Sequence, residues 1–184
     1  MFGLLDLLSR SKPNLPAFPE GGAARLSDDM YLATIVLLML VLPAIAVAAE
    51  AIWFPGAASP IELIGKWFTF FVVGVRLFSA GVSQVIRPEF TAKGILGVAD
   101  PSANVLVREI GFGNLAIGTL GLLSLVFPSF RIPAAVAGAI FLGLAGFGHL
   151  FRQDRNAKEQ LALVSDLVAA AVLAAFVAFS LSGS

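Results

Sequence analysis

Five long apolar stretches dominate the pattern of hydrophobic and polar positions along the chain. About 17–25 apolar residues are needed to cross the ~30 Å hydrocarbon core of a bilayer. Such stretches lie from about Met30 to Phe54, between Lys66 and Arg87, from Arg108 to near Phe127, from a Phe127–Pro133 turn to Phe151, and from about Leu161 to Leu181. Isolated strands would leave backbone groups unpaired in lipid, so the pattern predicts five transmembrane helices.

These spans predict an all-α fold, a polytopic transmembrane helical bundle in which spans two to five form a four-helix core. We expect the first span outside this core or at an interface between protomers, with a kink at Pro43. Spans three and four are rich in glycine and joined by a short connection, so we expect their glycine faces to pack together. Residues 1–29 are expected to form a cytoplasmic amphipathic tail, and residues 30–184 a single transmembrane domain.

The basic residues predict the orientation of the chain. One side of the predicted bundle carries nine of them: Arg10, Lys12, Arg25, Arg87, Lys93, Arg108, Arg152, Arg155 and Lys158. The opposite side carries Lys66 and Arg131, with Trp53 and Trp67 flanking the first outer loop. Because cytoplasmic loops are enriched in Lys and Arg, this bias predicts a cytoplasmic amino terminus and a periplasmic carboxyl terminus in a bacterial inner membrane.

Composition narrows the classes of function. The chain is 58% hydrophobic and only 13% charged, whereas soluble domains carry about a quarter charged residues. Twelve basic residues balance twelve acidic ones, so nothing indicates a nucleic-acid partner. The chain contains no cysteine and one histidine, His149, which excludes disulfides, thiolate metal sites and haem held by two histidines of one protomer. No cofactor is indicated.

Arg76 is the ionisable residue predicted deepest in the bilayer. It lies ten residues after Lys66 and eleven before Arg87, which places it near the midplane. A charge at mid-helix costs about 2.5–3.5 kcal/mol on insertion scales, so it needs a partner or a wet cavity. Arg76 therefore either lines a pathway or binds an anion, or else forms a structural ion pair that fixes helix packing.

Other polar residues are predicted to form one layer near the cytoplasmic side. By sequence position this layer contains Gln84, Glu109, His149 and Asp166, each from a different span, and Arg76 is long enough to reach towards it. Asn114 lies deeper on a glycine-rich face, where it serves either as an interhelical hydrogen-bonding residue or as a ligand contact. The layer itself is compatible with a proton relay, a headgroup pocket or a structural polar core.

One part of the sequence resembles a known group of proteins. The segments Gln84–Ala92, Arg108–Gly118 and Gly146–His149 resemble a family of small bacterial membrane proteins of unknown function, with a four-helix core and a Glu-Val-Gly-Phe-Ala-Asn-Leu-Ala motif. That family is distantly similar to DoxX-like proteins. The chain departs from the family pattern at Gln84, where histidine is frequent, and at Gly94-Ile-Leu-Gly97, where an Ile-Gly-Trp turn is usual. The resemblance implies no established activity.

Three functional hypotheses follow. The first is a non-catalytic membrane protein that binds or passes a small solute or lipid headgroup through the polar layer. The second, favoured by the DoxX-like resemblance, is an accessory subunit of a membrane redox or photosynthetic complex. The third is a membrane enzyme that uses Glu109 and His149 as an acid–base pair. The expected partners are the lipid bilayer, a second copy of the chain or a larger membrane complex, and a quinone or lipid.

Overall fold

Five long apolar helices form the described part of the protein. The computed structural model describes residues 20–153 and 155–182, and the helices long and apolar enough to cross a membrane are Asp29–Trp53, Pro60–Ile86, Ala103–Val126, Pro128–Leu150 and Ala157–Ser182. We call them spans one to five. The prediction of an all-α transmembrane bundle with five spans is confirmed. Span one continues a helix that begins at Glu20, so most of the predicted 1–29 tail lies outside the described residues.

Local sequence signals decide where the spans begin. Span two begins at Pro60, earlier than predicted, because Ser59 and Glu62 form a capping box in which each side chain bonds the backbone N–H of the other residue. Span five also begins earlier than predicted, at Ala157, where Asn156 Oδ1 accepts the Glu159 backbone N–H at 2.9 Å. A short helix, Pro88–Gly94, lies between spans two and three.

Span three packs against span two through glycines on both helices. A Cβ atom at Gly121 would lie 2.6 Å from Gly74 Cα, and one at Gly81 would lie 2.8 Å from Gly111 O. The two backbones are therefore in direct contact, as small residues allow in membrane bundles. The prediction that the glycine faces of spans three and four pack together is wrong, because Gly111, Gly118 and Gly121 of span three all pack against span two.

Two glycines of span four pack against side chains of spans two and five. Gly138 packs against Val73 and Leu173, and a Cβ at Gly146 would lie 2.9 Å from Leu167 of span five. The core lies where spans two, four and five meet, and its buried residues are Phe68, Val72, Val73, Leu77, Ala135, Leu142, Ala169, Leu173 and Phe176. Span four therefore pairs mainly with span five.

Span one lies at the edge of the four-helix core, as predicted. Most of its large apolar side chains are exposed, including Leu40 at 66% and Ile52 at 74%, so it presents a broad surface to lipid. Its helix consists of Glu20–Val36, a π-helical turn Leu37–Val41, and Leu42–Trp53. The π turn ends two residues before Pro43, and the Leu42 N–H bonds Leu37 O. The kink expected at Pro43 stays a prediction, and the irregularity described next to it is this π turn.

Span two contains a second and longer π-helical segment. Its helix consists of Pro60–Phe68, a π segment Thr69–Leu77, and Phe78–Ile86. Most of the π segment is buried, and Arg76 lies within its last turn. π-Helical turns are rare and occur often at functional sites. The π segment therefore makes the surroundings of Arg76 a candidate for a functional site.

Candidate functional site

A buried ion pair between spans two and five lies at the centre of the bundle. Arg76 Nη2 donates to Asp166 Oδ1 at 2.5 Å and to Ser165 Oγ at 3.0 Å. Arg76 is 9% exposed and Asp166 is 6% exposed, so both charges are largely removed from solvent and lipid. Each residue supplies the partner that the other needs at this depth.

A cavity of about 380 Å³ adjoins this ion pair. Its walls come from spans one to five and from the short helix Pro88–Gly94 with the segment that follows it. Its lining residues include Tyr31 and Leu38 of span one, Leu77 of span two, Asn114 of span three and Phe141 of span four, beside Arg76 and Asp166. The volume lies within the range of small-molecule sites. Most of the lining surface is apolar, and its polar groups come from the core spans, from span one and from the short helix.

Two buried side chains in the cavity wall keep an unpartnered polar atom. Asn114 Nδ2 donates to Gln84 Oε1 at 2.7 Å, but Asn114 Oδ1 has no hydrogen-bond partner in the described part of the chain. The same holds for Arg76 Nη1, while Nη2 of that residue is bonded twice. Buried polar atoms are normally satisfied, so each exception calls for an explanation.

The cavity reaches the lateral surface of the bundle. Four of its lining residues are also exposed: Thr34 of span one, Ser79 of span two, Phe90 of the short helix and Ile110 of span three. We call these four residues the mouth. Ser79 lies one turn from Arg76, so the mouth adjoins the ion pair on the side of span two.

A second buried carboxylate ties the cavity to the loops at one end of the bundle. Glu159 is 1% exposed, and its Oε1 lies 3.0 Å from His149 Nδ1 and 3.1 Å from Arg152 Nη1. Arg152 Nη2 in turn donates to Leu96 O at 2.7 Å. His149 and Leu96 both line the cavity. We call Glu159, His149, Arg152 and Leu96 the Glu159 clasp.

Further bonds fix the same pair of loops. Asn156 Nδ2 donates to Ile95 O at 2.9 Å, next to the Arg152 contact. Arg155 Nη1 donates to the carbonyl oxygens of His149, Leu150 and Arg152, which closes the end of span four. The loop after span four therefore holds the segment that follows Pro88–Gly94 against the cavity.

The structure brings five of the six sequence-predicted site residues to the cavity: Arg76, Gln84, Asn114, His149 and Asp166. The sixth, Glu109, is exposed on span three, does not line the cavity and forms no ion pair within the described residues. The layer therefore forms without it, and Glu109 does not stand beside His149 as an acid–base partner. His149 is paired with Glu159 instead.

Sequence reasoning missed two functional candidates. Glu159 lies in the first turn of span five, whereas the apolar pattern predicts a beginning at about Leu161 and leaves Glu159 in the preceding loop. Its position three residues after Asn156 is the spacing of a helix start and marks the true boundary. Tyr31 lies at the beginning of span one and lines the cavity; nothing in the sequence pattern distinguished it from an interfacial aromatic residue.

The chemistry of this site is charge pairing and hydrogen bonding. Within residues 20–153 and 155–182, no three His, Asp or Glu side chains converge as metal ligands would. No Ser, Thr or Tyr hydroxyl bonds His149 among the hydrogen bonds of those residues, so a nucleophile–base pair is not assembled there.

The fold and the cavity together define a polytopic helical membrane protein with a buried ion pair and a lateral opening. Within that class, the chain belongs to a family of unknown function, DUF6790, whose sequence model matches residues 29–182. The match covers all five spans and therefore every wall of the cavity. No curated protein and no solved structure matches the chain significantly.

Proposed function

We propose that the protein is a non-catalytic membrane protein that binds or passes a small amphipathic molecule, a solute or a lipid headgroup, through the cavity beside Arg76. The observation that carries this proposal is the combination of a buried Arg76–Asp166 pair with a cavity that reaches the lipid-facing surface. A polar group from the bilayer can enter at the mouth and meet fixed hydrogen-bonding groups, while its apolar part stays against the apolar lining.

A purely structural role would account for the ion pair but not for the open space beside it. A pair that only fixes helix packing is best surrounded by tightly packed side chains, since interiors normally leave few voids larger than a water molecule. Here the pair borders about 380 Å³ of space.

The proposed setting is the bacterial cytoplasmic membrane with the amino terminus inside. The basic residues of the loops between spans two and three and between spans four and five support this orientation. Arg152 contacts Leu96, so these two loops lie at the same end of the bundle. The mouth would then open in the cytoplasmic half of the bilayer. The relationship to DoxX-like proteins stays a prediction.

Native mass spectrometry of the protein extracted from its own membranes in mild detergent tests the proposal. We expect a reproducible extra mass on the wild-type protein, and at least tenfold lower occupancy on the double variant Arg76→Leu/Asp166→Leu, which removes both charges of the pair together. Glu109→Leu is the matched control, because it also removes an acidic residue from a span but lies outside the cavity; its occupancy should equal that of the wild type.

Two results would contradict the proposal. One is a wild-type protein that carries no extra mass from its own membranes. The other is an extra mass that the double variant retains in full while the Glu109→Leu variant loses it.

A further inference from the structure

One segment of the chain, residues 88–98, covers the end of the cavity that lies next to the loops. Three of its residues line the cavity: Thr91, Ile95 and Leu96. His149 lines the same end, while Arg76 lies ten residues before the end of span two at Ile86. At 1.5 Å per residue the cavity therefore extends about 15 Å inward from the loops. We call residues 88–98 the covering segment.

The covering segment is amphipathic, with its charged side turned outward. Its helix, Pro88–Gly94, buries Thr91 and Ala92 and exposes Glu89 and Lys93. Two backbone bonds then close the segment on itself: the Leu96 N–H donates to Thr91 O at 2.9 Å, and the Val98 N–H donates to Ala92 O at 2.8 Å. The segment is therefore a compact unit with one face on the bundle and the other towards the aqueous phase.

Three side chains from one short stretch, residues 152–158, hold this unit over the cavity. Arg152 Nη2 donates to Leu96 O at 2.7 Å, and Asn156 Nδ2 donates to Ile95 O at 2.9 Å. Lys158 Nζ lies 5.5 Å from the centroid of the Phe90 ring. Phe90, Ile95 and Leu96 all line the cavity, so each of the three contacts falls on a residue of the cavity wall.

These contacts differ from those that hold the spans together. The spans pack through buried apolar side chains and glycines, whereas both hydrogen bonds to the covering segment are exposed to solvent. Exposed hydrogen bonds exchange readily with water, and segments held by them open at a lower cost than the core. The cover can therefore separate from the cavity while the five spans stay packed.

We infer that the covering segment is a gate, which leaves the cavity when its contacts with Arg152, Asn156 and Lys158 break. The open gate connects the cavity to the aqueous phase at the loop end of the bundle. Together with the mouth, the gate gives the cavity two openings, as passage of a molecule requires. This inference rests on the proposed function and specifies passage through the cavity in place of binding alone.

The rate at which a charged reagent reaches a cysteine behind the gate tests the inference. The chain contains no cysteine, so a single introduced one reports alone. Ala145 lines the cavity one turn inward from His149. Ala145→Cys is treated in lysed membranes, where both faces are accessible, with 2-sulfonatoethyl methanethiosulfonate, whose charge keeps it out of lipid. We expect it to react at least about tenfold more slowly than Gln153→Cys, an exposed loop position.

Two variants that weaken the closed gate should raise the rate at Ala145→Cys about fivefold each, the usual effect of one hydrogen bond on an equilibrium. Asn156→Asp removes the donor to Ile95 O but keeps Oδ1, which accepts the Glu159 N–H at the start of span five. Arg152→Gln removes the guanidinium that bonds Leu96 O. The two variants act through different residues, so a shared increase belongs to the gate and not to either substitution.

Gln153→Glu is the matched control. It places the same new negative charge in the same loop as Asn156→Asp, but Gln153 is exposed and forms no hydrogen bond to the covering segment in the described part of the chain. The rate at Ala145→Cys should stay at its wild-type value in this variant. All variants should unfold cooperatively in detergent, which shows that the spans stay packed.

Three results would overturn the gate. One is an unchanged rate at Ala145→Cys in both gate variants. Another is a reporter that already reacts as fast as Gln153→Cys while the contacts are intact, because the cavity is then open to water by another route. The third is an equal acceleration by Gln153→Glu, which would assign the effect to the charge of the loop. None of these rates depends on a bound molecule, whereas failure of the proposed function appears as the missing extra mass in native mass spectrometry.

Discussion

Replacing Asp166 by leucine alone is expected to destabilise the protein by about 3–5 kcal/mol, because Arg76 then stays buried without its counter-ion. Arg76 Nη2 lies 2.5 Å from Asp166 Oδ1, and the same nitrogen also donates a hydrogen bond to Ser165 Oγ. The double variant Arg76→Leu/Asp166→Leu should recover most of this loss, since replacing a whole buried pair by apolar residues is often neutral or stabilising. Unfolding by a denaturing detergent in mixed micelles measures both differences.

The control for this prediction is Glu109→Leu. Glu109 is exposed and forms no ion pair in the described chain, so its removal should change stability by no more than about 0.5 kcal/mol. A loss at Glu109 as large as that at Asp166 would show that Glu109 belongs to the buried network. A double variant as unstable as Asp166→Leu would show that the pair is required for the fold itself.

Replacing Gly121 by alanine is expected to separate spans two and three and to destabilise the bundle by about 3 kcal/mol or more. The new Cβ would lie 2.6 Å from Gly74 Cα, which is a backbone atom that no rotamer change can move aside. Overpacking of a tight core typically costs about 1–3 kcal/mol, and a backbone contact stands at the upper end of that range. The same detergent unfolding measures the loss.

Gly113 provides the matched control on the same helix. A Cβ at Gly113 meets nothing within 4 Å, so Gly113→Ala should be neutral or slightly stabilising through its higher helix propensity. If Gly121→Ala behaves like Gly113→Ala, the close contact between Gly74 and Gly121 is not present in the protein. If both variants lose stability equally, helix backbone flexibility rather than packing accounts for the loss.

The sequence predicted the number of spans because membrane thickness imposes a length on each of them. It was less accurate at their beginnings. The capping box at Ser59 extends span two past Lys66, the charged residue that was taken to mark its beginning, and the Asn156 cap extends span five into polar residues that a hydropathy pattern excludes. Because the hydropathy pattern begins span five too late, it places Glu159 in a loop and gives no sign that this residue pairs with His149.

The sequence predicted the height of each polar residue along its helix, but it gave no direction around the helix axis. Glu109 and Asp166 were predicted at similar depths, and the structure buries Asp166 while exposing Glu109. For span two the difficulty has a specific cause. Thr69–Leu77 is π-helical, so side chains there depart from the 100° per residue of an α-helix, and Arg76 cannot be assigned a face by counting.

The pairing of spans three and four was predicted from their glycine content and from the short connection between them, and these two signals were insufficient. Spans three and four both carry many glycines, but a close approach needs small residues on both partners at matching heights. Gly74 and Gly81 of span two supply that match for span three. Leu167 and Leu173 of span five instead fill the space opposite Gly146 and Gly138.

The Glu159 clasp connects the wall of the cavity to the loop between spans two and three. One carboxylate contacts His149, a cavity residue, and also Arg152, which bonds Leu96 of that loop. A molecule in the cavity that altered the contact between His149 and Glu159 would therefore also act on the contact that fixes the loop. Linkage would then require the reverse effect with the same free energy, so that displacing Leu96 changes binding in the cavity by the same factor.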